Sequence, residues 1–200
     1  AVLAGAINTR FVAALNAAGV RAVGLTGADG GCGLSDVAPP HHAVDGRTVD
    51  LGRVGVPAAD ADVRVLETLV RGGFVPVVAC IGIGRDGRLL NVNADTLAGH
   101  LASHLGARRL VVAGATPGVL DKGGATLTTL DAGALTALVS DGTASAGMIA
   151  KLRACEHALN GGVDDVVIVD GRKADALKAS ALGGSTPLAT RIRSRERSLA

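Results

Sequence analysis

The chain has 200 residues, of which 48% are apolar and 19% are charged, and its formal net charge is +2. This composition suffices for a hydrophobic core and argues against the strongly basic surface with which proteins attract nucleic acid or membranes. The three cysteines are widely spaced, unlike those of a disulfide framework or a zinc motif. We therefore expect a cytoplasmic protein with a small-molecule partner, without a nucleic acid or membrane partner.

Helix and strand patterns alternate along the chain. Apolar residues at helical spacings predict helices, and short Val- and Ile-rich runs predict strands buried on both faces, as in parallel sheets. In chain order the sequence predicts a helix at 7–18, a strand at 21–25, a helix at 62–71, a strand at 74–81, a helix at 94–105, a strand at 110–113, helices at 132–138 and 148–159, strands at 166–169 and 188–192, and a frayed end at 193–200. This order predicts an α/β sandwich with right-handed crossovers.

The helix–strand alternation stops between residues 34 and 56. Pro39-Pro40 and the turn-like Asp45-Gly46 occur there, and Val44 and Val49 flank that turn. We interpret this segment as a β-hairpin insertion. The chain starts at Ala1 rather than at a methionine and enters a helical pattern at once, which is expected of a fragment.

Residues 82–87 read Gly-Ile-Gly-Arg-Asp-Gly and match the G-x-G-x-x-G dinucleotide pattern after a predicted strand. The polar residues 88–92 follow instead of a helix, and no acidic residue lies about 20 positions further on for the ribose contact. We interpret the segment as a turn, with a nicotinamide-dependent oxidoreductase as the weaker alternative.

A second segment, Asn91-Val92-Asn93-Ala94-Asp95, immediately precedes a predicted helix. Its amides and the helix N-terminus can face an anion, and Asn91 and Asn93 alternate onto one side. The simpler alternative is that Asn93 caps the helix and Asp95 complements its dipole.

Small residues and two glycines also lead into the helix that carries Lys151, at residues 141–151. This arrangement is typical of a phosphate-binding turn with a neutralising lysine, although it is not a Walker sequence. The alternative is a solvated lysine on an amphipathic helix.

Several segments together resemble the acetylglutamate kinases of the amino-acid kinase family in order and spacing. They are residues 90–95, the Gly-Met-Ile-x-Lys run at 147–151, residues 117–121 and 170–172, and further segments at 23–27, 29–31, 50–55 and 189–192. The resemblance covers nearly all of the chain. It implies a three-layer αβα sandwich with a mainly parallel sheet. In it a substrate lobe, of which about residues 1–90 are the remainder, binds acetylglutamate, and an ATP lobe (about residues 91–200) binds the nucleotide.

The resemblance also implies an activity and the residues that perform it. Enzymes of this kind transfer the γ-phosphoryl group of ATP, bound with Mg²⁺, to the side-chain carboxylate of N-acetyl-L-glutamate in arginine biosynthesis, and a homo-oligomer is expected. The chain itself is expected to supply no metal site. The implied roles are substrate binding by Asn91 and Asn93, orientation of the catalytic lysines by Asp95, contact with the phosphoryl group by Lys151, and nucleotide binding by Gly118, Gly147, Met148 and Lys151.

The sequence also departs from the family pattern. The family's Lys-x-Gly-Gly strand, His-Gly-Gly-Gly turn and substrate-binding lid arginine do not occur in these residues, and Gly114 and Ala115 replace a Thr or Ser followed by Asp. We therefore expect an N-terminally incomplete kinase domain that makes little acyl phosphate alone. Two alternatives are a kinase for aminoadipate or glutamate on a carrier protein, and a non-catalytic nucleotide-binding remnant.

Overall fold

The computed structural model describes residues 2–42, 48–140 and 146–193. The chain divides into two compact units, residues 1–97 and 98–200. Within the described ranges, no helix has both the length and the apolar character needed to cross a membrane.

In its described residues, the first unit combines three small sheets with two α-helices. A π-helical turn, Val2–Ile7, leads directly into the first α-helix. The elements that follow are α1 (Asn8–Ala17), β1 (Ala22–Thr26), a 3₁₀ turn (Asp29–Gly31), β2 (Ser35–Val37), β3 (His41–His42), β4 (Thr48–Val49), β5 (Val54–Pro57), α2 (Arg64–Arg71), β6 (Val75–Ala79), β7 (Ile81–Ile83) and β8 (Leu89–Val92).

Parallel and antiparallel pairings both occur in this unit. β1 pairs in parallel with β6 from Ala22 opposite Val75 to Thr26 opposite Ala79, and α1 packs on both strands. A second sheet has the order β2-β5-β8-β7, so β8 is paired on both sides. The predicted hairpin insertion is confirmed by the antiparallel pairing of β3 with β4, whereas its turn at Asp45-Gly46 lies outside the described residues.

The predicted strand at residues 74–81 consists of two strands. The chain bends at Cys80, so β6 ends at Ala79 and pairs with β1, whereas β7 begins at Ile81 and pairs with β8. The composition of this run is apolar throughout, and it therefore contains no local signal for the bend. The two strands are distinguished by their pairing partners, which are β1 before Cys80 and β8 after it.

The described part of the second unit contains one four-stranded sheet and its helices. α3 (Ala94–His104) begins in the first unit and continues into the second. It is followed by β9 (Arg109–Gly114), β10 (Thr129–Asp131), α4 (Ala132–Ser140), α5 (Ala146–Asn160), β11 (Asp165–Asp170), α6 (Ala174–Ala181) and β12 (Ala189–Arg193). The strand order is β10-β12-β11-β9, and β9 and β11 run parallel over their full length.

This sheet is covered on both faces, which confirms the predicted αβα layering in this unit. On one face α4 and α5 pack around fully buried side chains such as Leu135, Leu152, Val166 and Ile192. On the other face α6 packs over β11 and β9 around a smaller cluster that contains Val169. Every residue of β11 is buried, as expected for an inner strand of an α/β sheet.

Candidate functional site

Asn91 lies in the middle of a sheet yet presents its side chain to solvent. In β8 it is paired with Val54 of β5 on one side and Ile81 of β7 on the other, and its neighbours Leu90 and Val92 are buried. Because side chains alternate along a strand, Asn91 occupies the exposed face. A rigid, two-sided backbone therefore fixes the position of this amide.

Asn93 caps α3, which confirms the capping interpretation. Its Oδ1 accepts hydrogen bonds from the Thr96 backbone N–H, at 3.1 Å, and from Thr96 Oγ1, at 3.3 Å. Asp95 lies in the first turn of α3, where a carboxylate complements the helix dipole, and it is half-buried. The cap uses only the Oδ1 atom of Asn93, so binding of substrate by this side chain stays a prediction. The orienting role of Asp95 also stays a prediction.

The glycine pattern at residues 82–87 is a hairpin turn, as predicted. It joins β7 to β8, with the Gly84 N–H donating to the Arg88 carbonyl at 2.8 Å and Gly87 at φ +80°. A strand follows these glycines where a dinucleotide fingerprint requires a helix N-terminus. This geometry excludes the oxidoreductase alternative that was based on the pattern.

In the second unit, the loops after β9 and β11 are held together at the edge of the sheet formed by the carboxyl ends of these strands. The two strands are parallel, so their carboxyl ends lie side by side, and the Gly171 N–H donates to the Gly114 carbonyl at 2.9 Å. Ligands of open α/β sheets bind beyond the carboxyl ends of the strands. This edge is therefore the candidate nucleotide site.

Lys151 extends over the start of the loop after β9. A Cβ atom built on Gly114 would lie 3.4 Å from Lys151 Cε, so the lysine stem rests against this glycine. Lys151 belongs to the early part of α5, with Gly147 exposed and Met148 half-buried against the core. The preceding residues, 141–145, lie outside the described ranges.

Thr190 anchors the loop after β9, although the sequence did not single it out as a functional residue. It is fully buried, and its Oγ1 accepts a 2.7 Å hydrogen bond from the Val119 N–H. Gly118 has φ +92°, and a Cβ atom there would lie 2.7 Å from the Thr190 backbone nitrogen. Only glycine permits this approach, so Gly118 has a structural role whether or not it binds nucleotide.

The turn after β11 contains a closely paired acid and base. Arg172 donates from Nε to Asp170 Oδ1 at 2.9 Å and from Nη2 to Oδ2 at 2.8 Å. The side-chain hydrogen bonds from Arg172 lower the pKa of Asp170 to about 2. Asp170 is therefore a fixed anion at neutral pH that orders the turn, and it is unsuited to proton transfer.

Three histidines come together where α3 meets α5. The ring centroid of His100 lies 4.0 Å from that of His104 and 6.1 Å from that of His157. His100 is buried, and burial, with smaller contributions from the other two histidines, lowers its pKa from 6.5 to about 4. Neither these histidines nor any other three His, Cys, Asp or Glu side chains among the described residues are arranged so that they could hold a metal ion.

Comparison with known proteins identifies the family of this fold. The model of the amino acid kinase family matches residues 1–170. The chain belongs to the amino acid kinase family. Among curated relatives, it is similar to acetylglutamate kinases from Rhizorhabdus wittichii, at 45% identity over 181 residues, and Desulfotalea psychrophila, at 41% over 180 residues. These alignments cover 88% of the chain and 60% of each relative, so the chain spans about 60% of their length.

Solved structures support the same fold. The N-acetylglutamate synthase of Neisseria gonorrhoeae, complexed with coenzyme A and N-acetyl-glutamate, superimposes with a TM-score of 0.78 and 25% identity over 96% of this chain and 42% of that one. The carbamate kinase of Giardia lamblia, bound to citric acid, gives a TM-score of 0.67 over 94% of this chain and 70% of its own. At 14% identity, this superposition shows a shared fold and nothing further.

Proposed function

We propose that the protein is an ATP-dependent kinase that phosphorylates the side-chain carboxylate of N-acetyl-L-glutamate and releases an acyl phosphate. The observation that carries this proposal is the position of Lys151, whose side chain lies against Gly114 at the carboxyl end of β9. A cation there is suited to neutralise the transferring phosphoryl group. The similarity to named acetylglutamate kinases supports the choice of acceptor.

The proposed chemistry needs little from the protein beyond positioning and charge. A carboxylate acceptor is already ionised at neutral pH, so no general base is required. Phosphoryl transfer then depends on alignment and on stabilising negative charge on the phosphoryl oxygens. Lysine side chains, helix N-termini and the Mg²⁺ that enters with ATP can provide this stabilisation.

Each predicted residue has a role in this proposal. Asn91 and Asn93 bind acetylglutamate, Asp95 orients the catalytic lysines, and Lys151 contacts the transferring phosphoryl group. The loop after β9 with Gly118, and the start of α5 with Gly147 and Met148, bind the nucleotide. Residues 1 to about 90 are the remainder of the acetylglutamate lobe, and residues from about 91 to 200 form the ATP lobe. The exposed, rigidly held amide of Asn91 supports its assignment to a small polar substrate.

Hydroxylamine trapping tests the reaction. The protein, expressed from its complete gene, is incubated with ATP-Mg and one acceptor. The acceptors are N-acetylglutamate, glutamate attached to a carrier protein, and aminoadipate attached to a carrier protein. We expect hydroxamate and ADP in equal amounts with N-acetylglutamate alone. A product formed only with the carrier-bound acceptor would favour the related kinase. Nucleotide binding without any acyl phosphate would favour the non-catalytic alternative, for which Gly114 and Ala115 are the motivating residues.

The cellular part of the proposal is a cytoplasmic homo-oligomer that acts in arginine biosynthesis. We expect the gene to restore growth without arginine in a bacterial strain that lacks its own acetylglutamate kinase. Light scattering of the purified protein measures the assembly. A monomer at all concentrations would contradict the expected oligomer and would leave the catalytic proposal intact.

A further inference from the structure

Gly99 lies in the middle of α3, where glycine is an unfavourable residue. The helix runs from Ala94 to His104, and a glycine in a helix interior destabilises the helix relative to alanine. Glycine is suited to such a position when another backbone approaches too closely to leave room for a side chain. The packing around Gly99 provides this reason.

The backbone that approaches Gly99 belongs to α5. A Cβ atom built on Gly99 would lie 2.7 Å from the carbonyl oxygen of Ala154, whereas ordinary van der Waals contacts of a Cβ begin at 3.4 Å. An alanine at position 99 would therefore force the two helices apart by roughly 0.7 Å. The obstacle is a backbone atom in the interior of a helix, so it cannot rotate away as the end of a flexible side chain can.

The same two helices contact each other further along. The rings of His100 and His157 are stacked, with their centroids 6.1 Å apart, and Ser103 Oγ donates to the carbonyl of Gly161, just after the end of α5, at 3.4 Å. Ala102 of α3 is buried in the same hydrophobic cluster as the inner side of α5. These contacts form one α3–α5 seam, and Gly99 lies at the end of the seam that is nearer to the start of α5.

The seam is connected to Lys151 through α5 itself. Lys151 precedes Ala154 by one turn, which is about 4.5 Å along the helix axis. Leu152 and Cys155, in the same turn, are fully buried and attach this part of α5 to the core. Because close-packed interiors transmit small displacements, a shift of α5 at Ala154 moves Lys151 relative to Gly114, against which its stem rests.

A displacement of this size is large enough to affect catalysis. Catalytic groups have to be held within about 0.5 Å of their productive geometry, and a misplacement of about 1 Å caused from outside the site can cost about a hundredfold in rate. We propose that Gly99 is a positioning residue for phosphoryl transfer. It lets the backbone of α5 lie against α3 and thereby fixes the position of Lys151 at the loop after β9. This inference rests on the proposed function, in which Lys151 contacts the transferring phosphoryl group.

Gly99→Ala tests the proposal in the hydroxamate assay, with the protein expressed from its complete gene. Alanine is the better helix former, which favours folding of the variant. We expect kcat to fall about tenfold to a hundredfold, while KM for ATP and for acetylglutamate changes by less than about threefold, because every contacting group is retained. Rates are normalised to the ATP-binding stoichiometry from isothermal titration, so that misfolded molecules do not count. A kcat within about twofold of the parent value would overturn the proposal.

Gly161→Ala is the matched control, because it perturbs the same seam far from Lys151. A Cβ atom there would meet the Ser103 hydroxyl, a side-chain end that can rotate away, and residue 161 lies about 15 Å beyond Lys151 along the helix direction. We expect kcat to stay within about twofold of the parent value. Equal losses of kcat in the two variants would mean that any disturbance between α3 and α5 lowers activity, which would overturn the specific role of Gly99.

Crystal structures of the parent and of Gly99→Ala separate this inference from the proposed function. We expect the Lys151 backbone to be displaced relative to Gly114 by roughly 0.5 Å or more in the variant. An undisplaced Lys151 would overturn the positioning role even if activity fell. Absence of acyl phosphate with the parent protein itself would instead refute the proposed function, and a displaced Lys151 would then still support the control of its position by Gly99.

Discussion

Two regions of the candidate site are built in different ways. One is the junction between β8 and α3. The other is the β9 edge, which is the end of the sheet where the loop after β9 begins. At the junction, Asn91, Asn93 and Asp95 lie within five consecutive residues, and one strand and one helix cap position them. At the β9 edge, Gly114, Lys151, Gly171 and Thr190 come from four separate parts of the chain. The first arrangement is local, whereas the second exists only once the sheet has formed. Substitutions at the two regions should therefore differ in whether they affect chemistry, stability or both.

The largest expected effect is the loss of phosphoryl transfer when the charge of Lys151, at the β9 edge, is removed. Lys151→Met keeps the aliphatic stem against Gly114 and removes the ammonium group, so phosphoryl transfer should fall about a hundredfold to a thousandfold and ATP binding should weaken. Isothermal titration and the hydroxamate assay measure the two effects. The matched variant Lys178→Met, at an exposed residue of α6, should behave like the parent protein. Equal ATP affinities for Lys151→Met and the parent would argue against the assignment.

Asp95 tests whether the junction does more than start a helix. Asp95→Asn keeps the size of the side chain and removes its charge, and we expect activity to fall by about a hundredfold or more while the melting temperature changes little. If the residue only complements the helix dipole, stability drops by about 0.3–1 kcal/mol and activity persists. Asp86→Asn, in the hairpin turn, is the control for the loss of an acidic group. Activity retained within a few-fold in Asp95→Asn would remove it from the catalytic set.

Gly118 should reveal how strongly the β9 edge depends on tertiary contacts. Gly118→Ala puts a Cβ at φ +92° and against the backbone of Thr190, and the unfolding free energy should drop by about 2 to 4 kcal/mol. Gly124→Ala, at φ +84° with no atom within 4 Å, isolates the backbone cost and should lose about 1 kcal/mol. Denaturant unfolding compares the two. Similar losses would mean that the Thr190 contact is unimportant.

The pH dependence of stability should reflect the burial of His100 in α3. His100 titrates near 6.5 when unfolded and near 4 when folded, so the unfolded chain binds more protons between these values. Stability contributed by the neutral imidazole is complete above about pH 6.5 and is lost as pH falls towards 4, by about 2 to 3 kcal/mol.

His100→Leu removes this titration, and its unfolding free energy should therefore depend less on pH than that of the parent in the same window. Exposed His157→Gln should keep most of the dependence. Denaturant unfolding at pH 7 and pH 4.5 measures the difference. Parallel pH curves for parent and His100→Leu would contradict the role of burial.

The smallest expected effect is at the local cap. Asn93→Ala removes the acceptor for the Thr96 N–H and should lower the unfolding free energy by about 1 kcal/mol, whereas Asn93→Asp keeps an acceptor and should be close to neutral. If Asn93 also binds the substrate, the Asp variant raises KM for acetylglutamate despite its normal stability. An unchanged KM would leave Asn93 with capping alone.

Much of the fold could be predicted because its signals are local. The ends of α3 and β11 lie within one residue of their predicted positions, since periodicity and the Asn93 cap are encoded over short stretches. Helix α6 was not predicted because Ala174–Ala181 contains one large apolar residue, Leu177, and thus little amphipathic pattern. Packing on the sheet stabilises this helix instead, because Ala176 and Leu177 contact the strands.

The candidate site shows the same division. Sequence identified Asn91, Asn93, Asp95 and Lys151 as residue types suited to binding anions and small polar groups, and the first three are neighbours in the chain. It did not indicate that Thr190 holds the loop after β9, since a threonine near the end of the chain has no local feature that points to residue 119. Hydrogen bonds of this kind join residues that are far apart in sequence, and strand pairing decides which of them meet.

The sequence by itself determined the α/β class, the hairpin insertion, most helices and the residue types of the candidate site, because each depends on spacing within about one or two turns or strands. Tertiary structure alone decided that the glycines at 82–87 form a hairpin while Gly114 lies under Lys151. It also decided that Gly99 of α3 lies against the Ala154 carbonyl of α5. Glycines are compatible with many environments, and strand register and helix packing select among them.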